Sequence, residues 1–317
     1  MLQVLRRTWL SVVLMLGLML GAVGVASAQE EPSVTVGSKN FTEQLIVAEM
    51  IGLMLEDAGY DVDRQLDLGG TAIAHEALIG GDIDVYVEYT GTGLIAILGM
   101  ELPDEAENGD AATPEDDGPI DEVYEIVAAE YPEEFGVEWL EPWGFNNTFA
   151  LIVTSETAEE YDLESISDLE DVAGDLIIGT EPEFPVRPDG LPGIEELYGF
   201  SFEGSQTADA GLLYDAVVEE EVDVIAGVST DGRIPAYDLV ILEDDLSFFP
   251  PYFAAPVVSQ ELLEEAPEIA DILNQLSGAI SDDEMAAMNY EVDDEDLEPI
   301  EVAQQFLEDE GILEADE

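Results

Sequence analysis

Apolar and polar positions change period along this chain, and the changes mark out its elements. Ser33-Val-Thr-Val-Gly37 alternates and closes on a turn residue, which predicts a short buried strand. From Thr42 to Ala58 the apolar residues Leu45, Ile46, Ala48, Met50, Leu53 and Met54 fall near helical spacing, and Gly59 ends the run. Asp61–Leu68 reads as a second strand, and Gly69-Gly70-Thr71 opens a second helix through Leu78. Asp84–Tyr89 is a third strand, after which Thr90-Gly91-Thr92 starts another helix. Strands alternating with helices at this spacing predict a parallel, open α/β sheet. Ligands of such sheets sit beyond the carboxyl ends of the strands, where these three turns gather.

The stretch Glu101–Gly118 interrupts the pattern. Eight of its eighteen residues are acidic, with Pro103 and Pro114 among them, so it reads as an exposed loop. Periodicity resumes at Val137. A second α/β unit spans Phe145–Leu242, with strands at Thr148–Val153, Leu176–Thr180 and Val222–Val228 and a helix at Asp209–Glu220. From Ser259 the chain is helical and acidic, and Leu262, Leu263, Ile269, Ile272, Leu273 and Leu276 supply a core-facing stripe. No internal repeat is visible.

The first residues have a different pattern. Arg6 and Arg7 precede an apolar run from Trp9 to Val25, and Ala26-Ser27-Ala28 follows. This is the layout of a cleavable signal peptide over residues 1–28, with Gln29 starting the mature chain. The alternative is a retained anchor, since the apolar run is nearly long enough to span a bilayer.

Composition sharpens the picture. Cysteine is absent, which excludes disulfides, thiolate chemistry and sulfur-ligated zinc. Six Lys and Arg stand against 76 Asp and Glu, a formal net charge of −70, so nucleic acid and anionic lipid are excluded as partners. The apolar residues remain plentiful and periodic between the acids, which argues for a folded protein and against disorder. Molar salt shrinks the screening length to about 3 Å and makes such self-repulsion tolerable, so the expected setting is a halophile.

Against that background the surviving cations are informative. Past the signal only Lys39, Arg64, Arg187 and Arg233 remain. Lys39 lies where a strand hands over to a helix, in Gly37-Ser-Lys-Asn-Phe-Thr-Glu-Gln44. An ammonium beside the free N–H groups of a helix start makes an anion site. Asn40 or Thr42 would also serve as ordinary caps there. Arg64, in an acidic strand, fits a plain ion pair equally well, and Arg233 beside Asp231 reads as a structural pair near a hinge. Tyr89, Phe149 and Tyr252 stand at strand ends or beside them, where aromatic faces attract quaternary ammonium groups. Each also fits core packing.

Several blocks in order identify a resemblance over nearly all of the mature chain. They are the Lys39 block, Glu88-Tyr-Thr-Gly-Thr92, Gly144-Phe-Asn-Asn-Thr148, Glu183-Phe-Pro-Val-Arg-Pro-Asp-Gly-Leu-Pro-Gly193, Ser229-Thr-Asp-Gly-Arg-Ile234 and Phe249-Pro-Pro-Tyr-Phe-Ala-Ala-Pro256. The chain resembles the substrate-binding proteins of osmoprotectant ABC importers for glycine betaine, choline and carnitine. The resemblance implies a type II periplasmic-binding-protein fold, with two α/β lobes around a hinged cleft. Lobe 1 would comprise residues 29–144 and 247–317, and lobe 2 residues 145–246. Lys39, Thr92 and Arg187 would hold the ligand carboxylate, and Tyr89, Phe149 and Tyr252 would surround the trimethylammonium. Asn147, Glu183 and Val228 complete the expected ligand contacts.

Two positions depart from the family pattern. Phe149 replaces a tyrosine, and Val228 stands where a cage tyrosine is expected. Either Trp143 or Phe145 fills the missing wall, or the affinity is low, or the solute differs, and lowered affinity or altered selectivity is the expectation. The resemblance further implies an exported, periplasmic monomer that delivers a small osmolyte to a membrane permease and its cytoplasmic ATPase, with no cofactor or metal. Glycine betaine is the leading solute, and carnitine, proline betaine, choline and ectoine are alternatives. An enzyme on the same fold is the remote alternative. The single histidine, His75, lies inside a helix without a second histidine or a cysteine to make a triad or metal set.

Overall fold

Ser33–Gly37 is the first strand, β1, of a computed structural model that describes residues 33–102 and 122–314. It feeds α1 (Thr42–Asp57), β2 (Asp61–Gln65), α2 (Thr71–Gly80), β3 (Val85–Tyr89), a π-helical segment at Thr92–Ile97, α3 (Glu122–Phe135) and β4 (Val137–Trp139). The chain then crosses to β5 (Phe149–Thr154), α4 (Ser155–Tyr161), β6 (Ile177–Thr180), α5 (Leu191–Tyr198), β7 (Gly204–Thr207), α6 (Ala210–Val218), β8 (Val224–Val228), α7 (Arg233–Ala236) and β9 (Leu239–Ile241). It returns through β10 (Ala254–Ser259) and the helices α8 (Gln260–Glu265), α9 (Glu268–Leu273), α10 (Asp282–Asp293) and α11 (Pro299–Asp309). The expected signal peptide at 1–28, and the acidic loop from residue 103 onward, lie outside the described residues. Among the described residues no helix is long and apolar enough to cross a membrane.

The strands form two five-stranded sheets, ordered β2-β1-β3-β10-β4 and β7-β6-β8-β5-β9. β1 pairs in parallel with β2 and β3, and β6 with β7 and β8, as the strand–helix alternation predicts. The expectation of wholly parallel sheets needs correction. β10 runs antiparallel to β3 and β4, and β5 antiparallel to β8 and β9. Connectivity explains this. β5 and β10 are the strands that receive the chain as it arrives from the other sheet, so neither is the product of a right-handed strand–helix–strand crossover.

Each sheet has apolar packing on both faces. α1 shows why the first lobe is stable: Ile46, Met50, Ile51 and Leu55 are fully buried and pack with residues of β1, β3 and the C-terminal helices. Side chains of this kind contribute about 1.5–3 kcal/mol each. A second set, including Tyr86, Val127, Tyr131 and Val257, covers the opposite face. In the other lobe, Leu151, Ile178, Ile194 and Val224 form one core and Ile152, Leu213, Val217 and Ile225 another.

Two connections link the sheets, and they are bonded to each other. Trp143 N–H donates to the Ala254 carbonyl (2.9 Å), Asn147 N–H to the Tyr252 carbonyl (3.1 Å), and Tyr252 N–H to Asn146 Oδ1 (2.7 Å). The result is a two-stranded hinge ribbon, anchored by the fully buried Trp143 and Phe145.

Candidate ligand-binding site

The turns after β1, β3, β6 and β8 face one another across the two lobes and enclose a cavity of ≈ 260 Å³. Lys39, Tyr89 and Thr92 enter it from the first sheet's turns, and Tyr252 from the returning connection. Asn147 and Phe149 come from the outgoing connection and β5, while Glu183, Arg187 and Val228 come from the second lobe. The structure therefore brings all nine expected contact residues to one place.

Both cations in the lining are already matched. The Lys39 ammonium donates to Glu88 Oε1 (2.5 Å) and Thr71 Oγ1 (3.1 Å), with Lys39 3% exposed and Glu88 fully buried. Burial pushes the Lys39 pKa below the ordinary lysine value, and the Glu88 charge only partly offsets it. Arg187 forks onto Asp189, with Nε to Oδ1 at 2.8 Å and Nη2 to Oδ2 at 2.5 Å, and Nη2 also reaches Thr92 Oγ1 at 3.2 Å. Burial works against this guanidinium, but Asp189 outweighs it and holds the pKa above the usual arginine value. The other lining carboxylates, Glu181 and Glu183, form no ion pair among the described residues. Burial, and then the neighbouring Glu183 charge, push the Glu181 carboxyl above its ordinary value.

The walls are aromatic. Phe149 stands edge-on to Tyr252 (centroids 5.4 Å apart) and to Phe184 (5.1 Å), and Phe41 stacks on Tyr89 (6.2 Å, 25° between planes). Lys39 Nζ lies 5.2 Å from the Tyr89 ring centre, and the Arg187 guanidinium 5.2 Å from that of Phe149. Gly91 allows Tyr252 to reach its place. A Cβ there would lie 2.8 Å from Tyr252 Cε1 and equally close to Pro250 Cγ and the Pro251 carbonyl.

The lobes are closed on the cavity. Arg187 reaches Thr92 across the cleft, the Tyr252 hydroxyl donates to Asp189 Oδ2 (2.8 Å), and Thr71 N–H approaches Glu183 Oε2 (3.4 Å). Gly70 leaves room for Glu183, whose Oε1 would lie 2.1 Å from a Cβ at that position. Behind the cavity, Glu43 at the start of α1 collects donors from both lobes. Its Oε1 accepts from the Tyr89 hydroxyl (2.7 Å) and Asn147 Nδ2 (2.5 Å), and its Oε2 from the Thr230 hydroxyl (2.6 Å) and Asn289 Nδ2 (3.2 Å). Burial raises the Glu43 pKa despite these four hydrogen bonds. Asn147 Oδ1 is buried without a partner among the described residues.

Several readings of single residues change. Neither Asn40 nor Thr42 caps α1: Phe41 is the cap residue without a side-chain bond, and the Thr42 hydroxyl goes to Asp293 instead. Trp143 and Phe145 do not replace the wall missing at Val228, because both are buried in the first lobe's core, where the Trp143 indole bonds the Leu273 carbonyl. Arg64 forms ion pairs with Glu49 and Glu56, away from the site. Arg233 pairs with Asp231 and also with Asp293 of α10. His75 packs edge-on against Tyr131 and Phe135, and burial lowers its pKa. Sequence reasoning overlooked Phe41, Thr71, Glu181 and Phe184, all of which line the cavity. Phe41 lies two residues after Lys39 and Phe184 three before Arg187, inside the blocks that carry the resemblance, so a ring near a rare cation was the available signal.

Two α/β lobes joined by a paired hinge, shut on an aromatic cavity, define a solute-binding protein of the type II periplasmic fold. A family model described as "Substrate binding domain of ABC-type glycine betaine transport system" matches residues 32–309, and the chain belongs to that family. It is 35% identical over 279 residues to the carnitine transport binding protein OpuCC of Listeria monocytogenes, covering 87% of this chain and 86% of the relative. It is also 35% identical over 303 residues to a glycine-betaine-binding protein of Pseudomonas aeruginosa, covering 92% and 91% respectively. Among solved structures, a crystal structure of a glycine betaine/carnitine/choline ABC transporter has a TM-score of 0.69 and 36% identity, covering 88% of this chain and 99% of that one. The chain is thus the solute-binding component of an ABC transport system of the glycine betaine, carnitine and choline class, working with a membrane permease and its ATPase.

Proposed function

We propose that the solute is a quaternary-ammonium betaine, glycine betaine foremost, captured outside the cytoplasm by a protein exported on residues 1–28. The observation that carries this reading is the pairing of five aromatic rings with donors from both lobes in one cavity. A trimethylammonium has no N–H to offer, and each aromatic face contributes about 0.5–2 kcal/mol to it. Its carboxylate end would face Lys39, Thr92 and Arg187, with Tyr89, Phe149 and Tyr252 around the methyl groups. Asn147, Glu183 and Val228 complete the contacts. The moving bodies are taken as residues 29–144 with 247–317, and 145–246. The protein acts as a monomer and binds without catalysis. Its acidity suits a halophile, where screened self-repulsion costs little.

One observation favours a second reading. Glu88 and Asp189 neutralise Lys39 and Arg187, so the unpaired Glu181 and Glu183 leave the lining with surplus negative charge. That surplus favours a cationic solute such as choline over a zwitterion. Calorimetric titration of the mature protein in molar KCl with glycine betaine, carnitine and choline separates the readings. Micromolar glycine betaine with weaker choline is the expected result. The reverse order selects the choline reading. Absence of binding by all three in folded protein removes the quaternary-ammonium assignment.

A further inference from the structure

Tyr89 and Tyr252 both line the cavity and both give their hydroxyl proton to a carboxylate, but the two carboxylates differ. At Tyr89 the direction of the bond is fixed by Gln44. Gln44 Oε1 accepts from Lys39 N–H (3.2 Å), so its Nε2 donates to the Val87 carbonyl (2.9 Å) and to the Tyr89 oxygen (3.1 Å). The Tyr89 oxygen is thus an acceptor toward Gln44, and its own proton goes to Glu43 Oε1 (2.7 Å). Glu43 is buried and stands outside the cavity lining. Asn147, Thr230 and Asn289 also donate to it, and no Lys or Arg pairs with it among the described residues. Donors on every side and no acceptor is the pattern of a carboxylate. Burial, and then the Glu43 charge, raise the Tyr89 pKa well above the ordinary tyrosine value, so the proton stays on the phenol. Tyr252 instead donates to Asp189 Oδ2 (2.8 Å), a carboxylate already neutralised by the Arg187 fork. Phe149 has no hydroxyl to give. The Lys39 ammonium, 5.2 Å from the Tyr89 ring centre, is itself matched by Glu88.

We infer that Glu43 is a positioning and specificity-determining residue of the cation cage: without touching the solute, it aims the Tyr89 ring and enriches its face, so that the site prefers a quaternary ammonium to a neutral group of the same shape. The inference rests on the quaternary-ammonium reading and assigns a source of selectivity within it. A phenol donating to a carboxylate gains phenolate character, and a more electron-rich ring draws a cation more strongly. Glu43 is buried, so its charge acts through a medium of low dielectric, where such polarisation is strengthened. Tyr89 is therefore the dominant cation-attracting wall, ahead of Tyr252 and Phe149.

The test compares glycine betaine with tert-butylacetate, its carbon isostere, which keeps the carboxylate and the methyl groups and lacks the cationic nitrogen. Both are titrated by calorimetry against the mature protein in molar KCl. Glycine betaine is expected to bind about tenfold more tightly. Tyr89→Phe and Glu43→Gln should each shrink that ratio about threefold or more, and Tyr252→Phe should shrink it less. The double variant should do no more than either alone, because the attraction passes through one hydroxyl. Each readout is a ratio within one protein, so a loss of folding or of lobe closure, which weakens both ligands together, does not imitate it. The contrast between Tyr89→Phe and Tyr252→Phe stands even where Glu43→Gln does not fold. A ratio untouched by Tyr89→Phe or by Glu43→Gln, or additive effects in the double variant, overturns the role of Glu43 while glycine betaine binding leaves the cage standing. Failure of every quaternary ammonium to bind folded wild-type protein overturns the quaternary-ammonium reading itself.

Discussion

Glu43 receives four hydrogen bonds and no cation, and its donors come from β3, the hinge ribbon, the turn after β8 and α10. Replacing one carboxylate oxygen by an amide turns an acceptor toward donors, and a buried mismatch of this kind costs about 1–3 kcal/mol. Glu43→Gln is expected to lower the unfolding midpoint accordingly, measured by urea melts at constant salt. Its burial-raised pKa also has a sign. The folded state holds this proton above the pH where an unfolded glutamate releases it, so stability falls as pH rises through that window. The variant should flatten the slope there. At this scale the sequence was informative about cations and silent about their partners. Rarity singled out Lys39 and Arg187, but among 76 acids nothing marked Glu88 and Asp189, although both lie in blocks that carry the resemblance, as their partners.

The strands β1, β3, β5, β6 and β8 were legible within a residue or two because their apolar runs are short and bounded by turn residues. β10 was not. Pro256 sits inside it, which ordinarily demotes a run to a sheet edge, yet β10 lies between β3 and β4. Its carbonyl still accepts from Leu140 N–H (2.9 Å), so the position loses a donor and keeps an acceptor. β7 is exposed along its whole length, so it carries no apolar signal at all. The segment after β3 was expected to be an ordinary helix and is π-helical from Thr92 to Ile97. Just before it, Gly91 presses against Pro250, Pro251 and Tyr252. Gly91→Ala is expected to push the returning connection aside. Overpacking there should cost about 1–3 kcal/mol of stability and weaken glycine betaine binding by displacing the Tyr252 wall, both measurable on one preparation by melting and calorimetry.

For the molecule as a whole, charge sets the conditions under which the fold persists. A net charge of −70 repels itself over about 10 Å at 0.1 M salt and about 3 Å at 1 M. The melting temperature is expected to climb steeply between those two concentrations of KCl and then level off. A profile flat in salt would remove the halophilic reading. Two-lobed architecture was legible from the paired α/β units, whereas lobe closure was not, because it depends on contacts such as Arg187 with Thr92 and Tyr252 with Asp189 between residues far apart in the chain.

The chain's only lysine, Lys39, is held at 3% exposure inside the cleft. Acylating dyes and amine cross-linkers, which on most proteins decorate the outside, here find their one ε-amine behind the closed lobes. Modification at that ε-amine therefore reports the opening of the molecule, not its surface, and a solute seated against Lys39 competes with it directly.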